Sequence, residues 1–288
     1  MTPEQYCQDK AASSGSSFYY SFMALAANQR RAIIALYAFC REVDDVVDNP
    51  GEIQIKQIKL QWWRTEIDQL FAGQAQHPVT RALTPVLEQF DLPEEYFLEI
   101  IDGMEMDLQQ QRYENFKSLS LYCYRVAGVV GLMAAEIFGY EDRRTLKYAR
   151  DLGMAFQLTN ILRDVHEDAQ LGRIYLPAED LQRFSVSEKD IFAGQASPNF
   201  QQLMQFECDR AKQYYHSAFE YLPEQDRFNQ RCGLIMAAIY RAVLDKMEKN
   251  HFPVLTGRVR LSNAHKLWLA LATWLREWRR HHRCGPAH

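Results

Sequence analysis

The sequence predicts an all-α protein, and three observations carry that prediction. Its ten prolines fall mostly between stretches of helical periodicity, where each marks a helix boundary. Strand-like alternation is nowhere sustained. The long proline-free segments, roughly 26–49, 54–72, 94–135, 140–170, 199–221, 232–250 and 256–283, exceed the average globular helix of about eleven or twelve residues. About ten helices are expected. No Gly-, Ser- or Pro-rich linker divides the chain, so residues 1–288 read as one domain.

In chain order, Ser13-Ser14-Gly15-Ser16-Ser17-Phe18-Tyr19-Tyr20-Ser21-Phe22 combines small hydroxyl residues with aromatics. Ser17 is placed to cap a short helix; Phe18 and Phe22 either line a pocket or fill a core behind a turn. The helix over 26–49 sets Tyr37, Arg41, Asp44 and Asp48 on one stripe, among apolar Ile33, Leu36, Phe39, Val43 and Val46. The aromatic face of Leu60-Gln61-Trp62-Trp63-Arg64-Thr65-Glu66 is assigned mostly to core packing. His77-Pro78 opens the next helix, where a structural histidine is the simpler assignment than a catalytic base. Asp102, Glu105 and Asp107 add acids at the surface or behind a site.

Gly128 and Gly131, inside an apolar helix, each cost about 1 kcal/mol relative to alanine. They admit either a closely packed neighbouring helix or a long apolar ligand. Gln157, Asn160, Asp164 and Asp168 share one face of the helix over 140–170, with Arg163 directly before Asp164. Gly172 stops that helix and Arg173 reaches toward an anionic site. Tyr240, Arg241 and Arg258 supply a phenol and further cations. The basic amphipathic helix at about 256–283 mixes Trp268, Leu271, Trp274, Leu275 and Trp278 with Lys266, Arg276, Arg279, Arg280 and Arg283. Two assignments suit it: a helix lying on a membrane interface, or core packing followed by a basic tail.

At 47% hydrophobic and 24% charged, the chain can bury a sizeable core and is not a disordered one. The polar start Met1-Thr2-Pro3-Glu4-Gln5-Tyr6 lacks the basic and apolar regions of a signal peptide. No apolar run approaches the roughly 18 residues of a membrane span, so a cytoplasmic protein is expected, with the inner face of the cell membrane as its peripheral site. The six cysteines include no Cys-x-x-Cys pair, and neither a zinc site nor a disulfide framework is indicated. Seven Lys or Arg from Arg258 onward face one acid, Glu277, so the first 257 residues carry a net charge of −10. That remainder argues against nucleic acid as a partner, while the basic end suits an anionic membrane surface.

The two acidic stripes carry the chemistry. Carboxylates four apart on a helix repel by a few tenths of a kcal/mol, which a partner outside the helix must offset. A single Asp-x-x-x-Asp is most often a solvated face; two copies embedded in apolar helices are not. Magnesium takes oxygen ligands and is usually held by one or two carboxylates plus substrate phosphates. Asp44, Asp48, Asp164 and Asp168 are therefore candidate metal ligands, and the neighbouring Arg41 and Arg163 suit a diphosphate.

Arg41-Glu42-Val43-Asp44-Asp45-Val46-Val47-Asp48 and Asn160-Ile161-Leu162-Arg163-Asp164-Val165-His166-Glu167-Asp168 resemble the paired aspartate motifs of the squalene and phytoene synthase family. The likeness extends to Ser17-Phe18, Tyr122-Cys123-Tyr124-Arg125-Val126-Ala127-Gly128, Gln157, Gly172-Arg173-Ile174-Tyr175-Leu176-Pro177 and Tyr240, nearly the whole chain. It implies an isoprenoid synthase fold, with helices around a deep apolar cavity and the two motifs facing each other near its mouth. It also implies Mg2+, about two or three ions, on Asp44, Asp48, Asp164 and Asp168. Substrate would meet Phe18, Phe22, Tyr37, Arg41, Gln157, Asn160, Arg163, Tyr240 and Arg258. Tyr122 matches a family tyrosine considered for proton removal, with released diphosphate an equal alternative.

Within the family, Gly15 to Phe22, Ile100 to Leu108 and Val126 to Gly131 look most like the bacterial members that form presqualene diphosphate for hopanoids. The expected reaction is head-to-head condensation of two farnesyl diphosphates to presqualene diphosphate, without NADPH, feeding the next enzyme of the hopanoid pathway. The alternatives are a phytoene synthase using two geranylgeranyl diphosphates, a dehydrosqualene or squalene synthase and, in another class, a noncatalytic helical scaffold docking on membranes. A diiron protein would need two Glu-x-x-His pairs, and only Glu248 to His251 matches.

Overall fold

The computed structural model describes residues 1–13, 21–22 and 25–283; among these the chain is helical, with no strand and one isolated parallel bridge, Arg112 with Ile174. Ser17, Phe18 and Cys284 lie outside the described residues. Helix α1, Pro3–Ser13, packs on α2, Ala27–Asp48, which buries Ile33, Leu36, Phe39, Val43 and Val47. Asn49-Pro50 ends α2, because proline can neither donate to the helix ladder nor tolerate a helical residue before it. Helix α3, Ile53–Phe71, buries Trp63 but leaves Trp62 half-exposed. In α4, Pro78–Leu87, His77 is the N-cap: its Nδ1 accepts from the Val79 N–H at 3.2 Å, and its ring packs 4.8 Å from Trp63. Its role there is structural.

The proline-free segment 94–135 is divided. Helix α5 covers Glu94–Gln109, and Asn115 then opens α6, Phe116–Cys123, through a capping box with Ser118. Residues 110–115 instead pair with the chain after Gly172: Ile174 donates to the Gln111 carbonyl at 3.1 Å and Ala178 to that of Tyr113 at 2.8 Å. Past Cys123 the helix continues through a π-turn, Tyr124–Gly128, into α7, Val129–Phe138. Phe116–Phe138 is long and apolar enough to cross a membrane by length and composition, contrary to the sequence expectation. Lys117, Arg125 and Glu136 interrupt the run and hide it. Its apolar side chains, Leu119, Val129, Met133 and Ile137 among them, are buried in the protein core.

The helix expected over 140–170 bends at one residue. Helix α8 is Arg144–Arg163 and α9 is Val165–Gln170, with Asp164 between them at φ −103°, ψ 15°. Hydrogen bonds from Asp164 N–H to Asn160 and from Asp168 N–H to Asp164, both 2.9 Å, carry the helical spacing across, so the acidic stripe is bent and not broken. Helices α10, Ala178–Arg183, α11, Glu188–Phe192, α12, Pro198–Tyr221, and α13, Arg231–Lys249, follow. The last helix, α14, is Asn263–Arg283 and starts later than expected, after a nonhelical segment containing Gly257 at φ 152°. It buries Ala270, Thr273 and Glu277 while Leu267, Trp268, Leu271 and Trp278 face outward.

Buried side chains gather in two clusters, one around Leu36, Phe39, Ile67 and Phe97, the other around Tyr148, Leu152, Leu203 and Ile235. Between them α7 and α8 cross closely. A Cβ on Gly131 would stand 2.3 Å from the Ala149 carbonyl oxygen, and one on Gly153 2.3 Å from that of Ala127. Close helix packing therefore accounts for Gly131. Cys7, Cys40, Cys123, Cys208 and Cys232 are free thiols, as the absence of paired spacing predicts.

Candidate active site

A cavity of about 780 Å³ opens between the two clusters, within the roughly 300–1,000 Å³ of small-molecule sites. Leu36, Ile100, Met104, Leu152, Phe156 and Ile239 make its walls apolar, and Phe138, Tyr148 and Gly233 line it too. Ten of the residues singled out in the sequence line it: Phe22, Tyr37, Arg41 and Asp44 on the N-terminal side, Tyr122 after them, Gln157, Asn160 and Arg163 from α8, Tyr240 from α13, and Arg258. Asp48, Asp164 and Asp168 are not part of the lining. They sit at the rim, with Asp48 and Asp164 tied to arginines.

The acids of the first motif share their basic partners. Arg41 forks between Asp44 and Asp45, reaching the latter at 2.9 Å. Lys10 of α1 bridges Glu42 and Asp45, both at 2.8 Å, so those two acids anchor α1 and leave Asp44 and Asp48 facing the mouth. In the second motif the Asp164 carboxylate is held on both oxygens, by Arg163 at 2.7 and 2.6 Å and by Arg258 at 2.7 and 3.0 Å. Tyr240 packs its ring 4.8 Å from Phe156, and burial raises its phenol above the ordinary range. Arg173 joins the motifs: its Nη1 lies 3.0 Å from Asp48 Oδ1, and its backbone N–H donates to the Asp168 carbonyl at 2.8 Å.

The carboxylates feel one another. Burial first, then the charge of Asp48, pushes Asp44 up to about 7, and burial followed by Asp164 pushes Asp168 up to about 8. Asp107, placed in the sequence at the surface or behind the site, is buried; its two oxygens accept from Tyr122 at 2.9 Å and Tyr175 at 2.7 Å. Burial lifts Asp107 to about 6, while Arg173 pulls it down. The Tyr122 ring stacks on Tyr175 with centroids 5.2 Å apart. Tyr122 thus stands as a neutral donor, burial holding its phenol well above the ordinary value.

The donor set fits a hard divalent cation. Four carboxylates gather at the mouth, two of them raised by burial first and by a neighbouring aspartate second, and the buried Asn160 Oδ1 and Glu167 Oε2 have no hydrogen-bond partner. Among the described residues, the one group of three potential ligands already converged within 4.8 Å is Cys208, Asp209 and Glu248, away from the cavity. Glu248 is committed there to Lys212 and to Gln205 at 2.8 Å, which accounts for that cluster without a metal and also for the Glu248–His251 spacing.

Sequence reasoning placed Tyr175 in the family-like segment after Gly172 and Lys266 in the basic last helix, and named neither of them, nor Arg260, as a site residue. Arg260 and Lys266 add cations to the cavity lining beside Arg258. The long basic end was the available signal for them. For Tyr175 the family-like segment was the signal, but not its partner, since it meets Asp107 across 68 residues.

A sequence model of the family described as "Squalene/phytoene synthase" matches residues 11–265. The 15-cis-phytoene synthase of Synechocystis sp. is 37% identical over 284 residues, covering 94% of this chain and 84% of that protein. The 15-cis-phytoene synthase of Synechococcus elongatus is 37% identical over 276 residues, 91% of this chain and 89% of that one. Among solved structures, a dehydrosqualene synthase in complex with ligand superposes with a TM-score of 0.84 at 31% identity, over 95% of this chain and 96% of that one. Squalene synthase HpnC from Alicyclobacillus acidocaldarius gives a TM-score of 0.79 at 27% identity, over 87% and 94%.

Proposed function

Because the chain belongs to the squalene/phytoene synthase family, we propose that it joins two identical allylic prenyl diphosphates head to head, with loss of diphosphate. The observation that carries this is the meeting of both acidic motifs, through Arg173, at the mouth of an apolar cavity. The names of the curated relatives favour two geranylgeranyl diphosphates and a phytoene-type product over the two farnesyl diphosphates expected from the sequence. The presqualene reading keeps two supports, the likeness to a dehydrosqualene synthase over nearly the whole chain and to squalene synthase HpnC over 87% of it.

The family is typically divalent-metal dependent. Asp44, Asp48, Asp164 and Asp168 would hold Mg2+, with Asn160 Oδ1 a further oxygen at hand; the ion supplies Lewis-acid stabilisation of the charge left on diphosphate as the carbon–oxygen bond breaks. Arg41, Arg163, Arg173 and Arg258 exchange their aspartate partners for diphosphate oxygens, a change from one charge-assisted hydrogen bond to another. Gln157 and Tyr240 orient the same group by neutral donors. The apolar walls hold both prenyl tails and keep water from the allylic cation, whose electron-poor carbon the rings of Phe22 and Tyr37 stabilise. That cation alkylates the double bond of the second substrate, and proton loss closes a cyclopropane that still carries one diphosphate. Loss of this second diphosphate, rearrangement of the resulting cation and loss of a second proton give the phytoene-type hydrocarbon, whereas a presqualene-type product is the reaction stopped before that second loss. Tyr122, a buried donor to Asp107, positions the wall and leaves released diphosphate as the base.

Incubation with geranylgeranyl and with farnesyl diphosphate, plus Mg2+ and without NADPH, tests the proposal. A phytoene-type hydrocarbon from the longer substrate is expected. Presqualene diphosphate from farnesyl diphosphate alone would establish the second reading, and no turnover of either would remove both.

A further inference from the structure

Tyr148 lines the cavity but has no part in the chemistry proposed above. It is 1% exposed, and its hydroxyl is buried without a hydrogen-bond partner, so no polar contact of the fold explains a phenol there. Its place along the cavity follows from α8. Tyr148, Leu152, Phe156 and Asn160, spaced four apart, form one stripe of the lining, and the stretch from Tyr148 to Asn160 spans about 18 Å at about 1.5 Å per residue. Asn160 and Arg163 stand at the mouth, so Tyr148 marks the far end; Arg144 and Thr145, beyond it on α8, are not part of the lining.

Neighbouring helices close that end. A Cβ on Gly233 of α13 would stand 2.7 Å from the Tyr148 hydroxyl oxygen, so it is the missing side chain that lets the ring cross from α8 to the α13 backbone. Farther along both helices Tyr240 packs on Phe156, so α13 runs beside α8 in the same direction. Gln230, just before Gly233, ties α13 to α7 by donating to the Ala135 carbonyl at 3.2 Å and the Gly139 carbonyl at 3.0 Å. Gln29, at the end of α2 remote from Asp44, donates to the Phe138 carbonyl at 2.9 Å. We infer that Tyr148 is the stop that limits the length of the prenyl tail, an inference that rests on the function proposed above. A hydrocarbon chain with bonds of about 1.5 Å at about 111° gains about 1.25 Å per bond, so an extended tail of three or four isoprene units measures about 14–19 Å. With its diphosphate at Asn160 and Arg163, such a tail ends against the Tyr148 ring. A further unit would need about 5 Å more, which a close-packed interior does not yield.

Two readouts on the full chain with Mg2+ test the stop. One is kcat/KM for farnesyl, geranylgeranyl and geranylfarnesyl diphosphate. The other is the rise in melting temperature given by dodecyl, hexadecyl and eicosyl diphosphate, saturated chains of matching length with no allylic bond to ionise. In both, the wild type should show a length beyond which the response falls. Tyr148→Ala should move that limit up by one unit, raising kcat/KM for the longer substrate relative to the shorter by about tenfold or more. Gly233→Ala, whose methyl drives the ring toward the open space of the cavity, should move the limit down. Tyr148→Phe keeps the ring and should leave the limit in place. A wild type without a length limit, or a limit that Tyr148→Ala does not move, overturns the inference; if Tyr148→Ala does not fold, the direction of the Gly233→Ala shift decides. A shift in Tyr148→Phe equal to that in Tyr148→Ala also overturns it, because the hydroxyl and not the ring would then set the length. Saturated chains that show the limit and its shift in a protein that turns over no prenyl diphosphate would keep the stop and remove the function.

Discussion

The Arg173 guanidinium lies 3.0 Å from Asp48, 125 positions away, while the Arg173 N–H donates to the Asp168 carbonyl, so one residue ties the end of the first acidic motif to the end of the second. Asp48 is about half exposed, and a pair of that kind contributes only about 0–1 kcal/mol to stability. Its weight is in binding. Arg173→Gln should therefore unfold within about 1 kcal/mol of wild type yet raise KM for the prenyl diphosphate by about tenfold or more. Steady-state kinetics alongside denaturant unfolding check this, and an unchanged KM would leave Arg173 as a clasp only.

Metal binding should depend on pH in a direction the acid cluster fixes. Asp44 at about 7 and Asp168 at about 8 are raised in the fold, against about 4 in an unfolded chain. The metal-free fold therefore holds protons that the unfolded chain has released, and its stability declines as pH rises from about 4 through 7 to 8. Magnesium needs the ionised oxygens and displaces those protons. The Mg2+-induced rise in melting temperature should be small at pH 6 and grow toward pH 8.5, with proton release in titration calorimetry. A rise of the same size at both pH values would place the metal elsewhere.

How much of this was legible in the sequence depends on the range of the interaction. The acidic stripes were visible because Asp44 with Asp48, and Asn160 with Asp164 and Asp168, are set by local helical spacing, and the Asp164 bend leaves that spacing in force. The break at 110–115 has no proline to mark it, and the capping box of Asn115 and Ser118 is its local sign. Tyr175 was seen only as part of a family-like segment: its contact with Asp107 is one that no local pattern encodes. The glycines gave a signal with two meanings, and only the approach of the Ala149 carbonyl separates them.

Tyr122 illustrates how geometry narrows a family resemblance. It donates to Asp107 at 2.9 Å and shares that carboxylate with Tyr175. Loss of a general base typically costs about 10²–10⁴ in rate. A phenol that only donates to Asp107 predicts something milder for Tyr122→Phe: turnover within about tenfold of wild type, and a stability loss of about 1–2 kcal/mol as Asp107 keeps one partner of two. A thousandfold fall in turnover with stability unchanged would return Tyr122 to the role of base.

Gly131→Ala sets two effects of opposite sign against each other. In a helix interior the added methyl ordinarily gains about 1 kcal/mol. Here it would sit 2.3 Å from the Ala149 carbonyl oxygen, a backbone atom that cannot swing aside, so α7 and α8 must separate. Overpacking of that kind costs about 1–3 kcal/mol, and the net outcome should be destabilisation. Turnover should fall too, because α8 carries Asn160 and Arg163 to the mouth and moves with the crossing. Gly51→Ala is the control: its nearest neighbour is the flexible Lys56 Cε at 3.9 Å, and it should stay within about 0.5 kcal/mol of wild type. If Gly131→Ala melts with the wild type, the two helices are free to part, and a ligand lying against Gly131 becomes the better reason for a residue without a side chain.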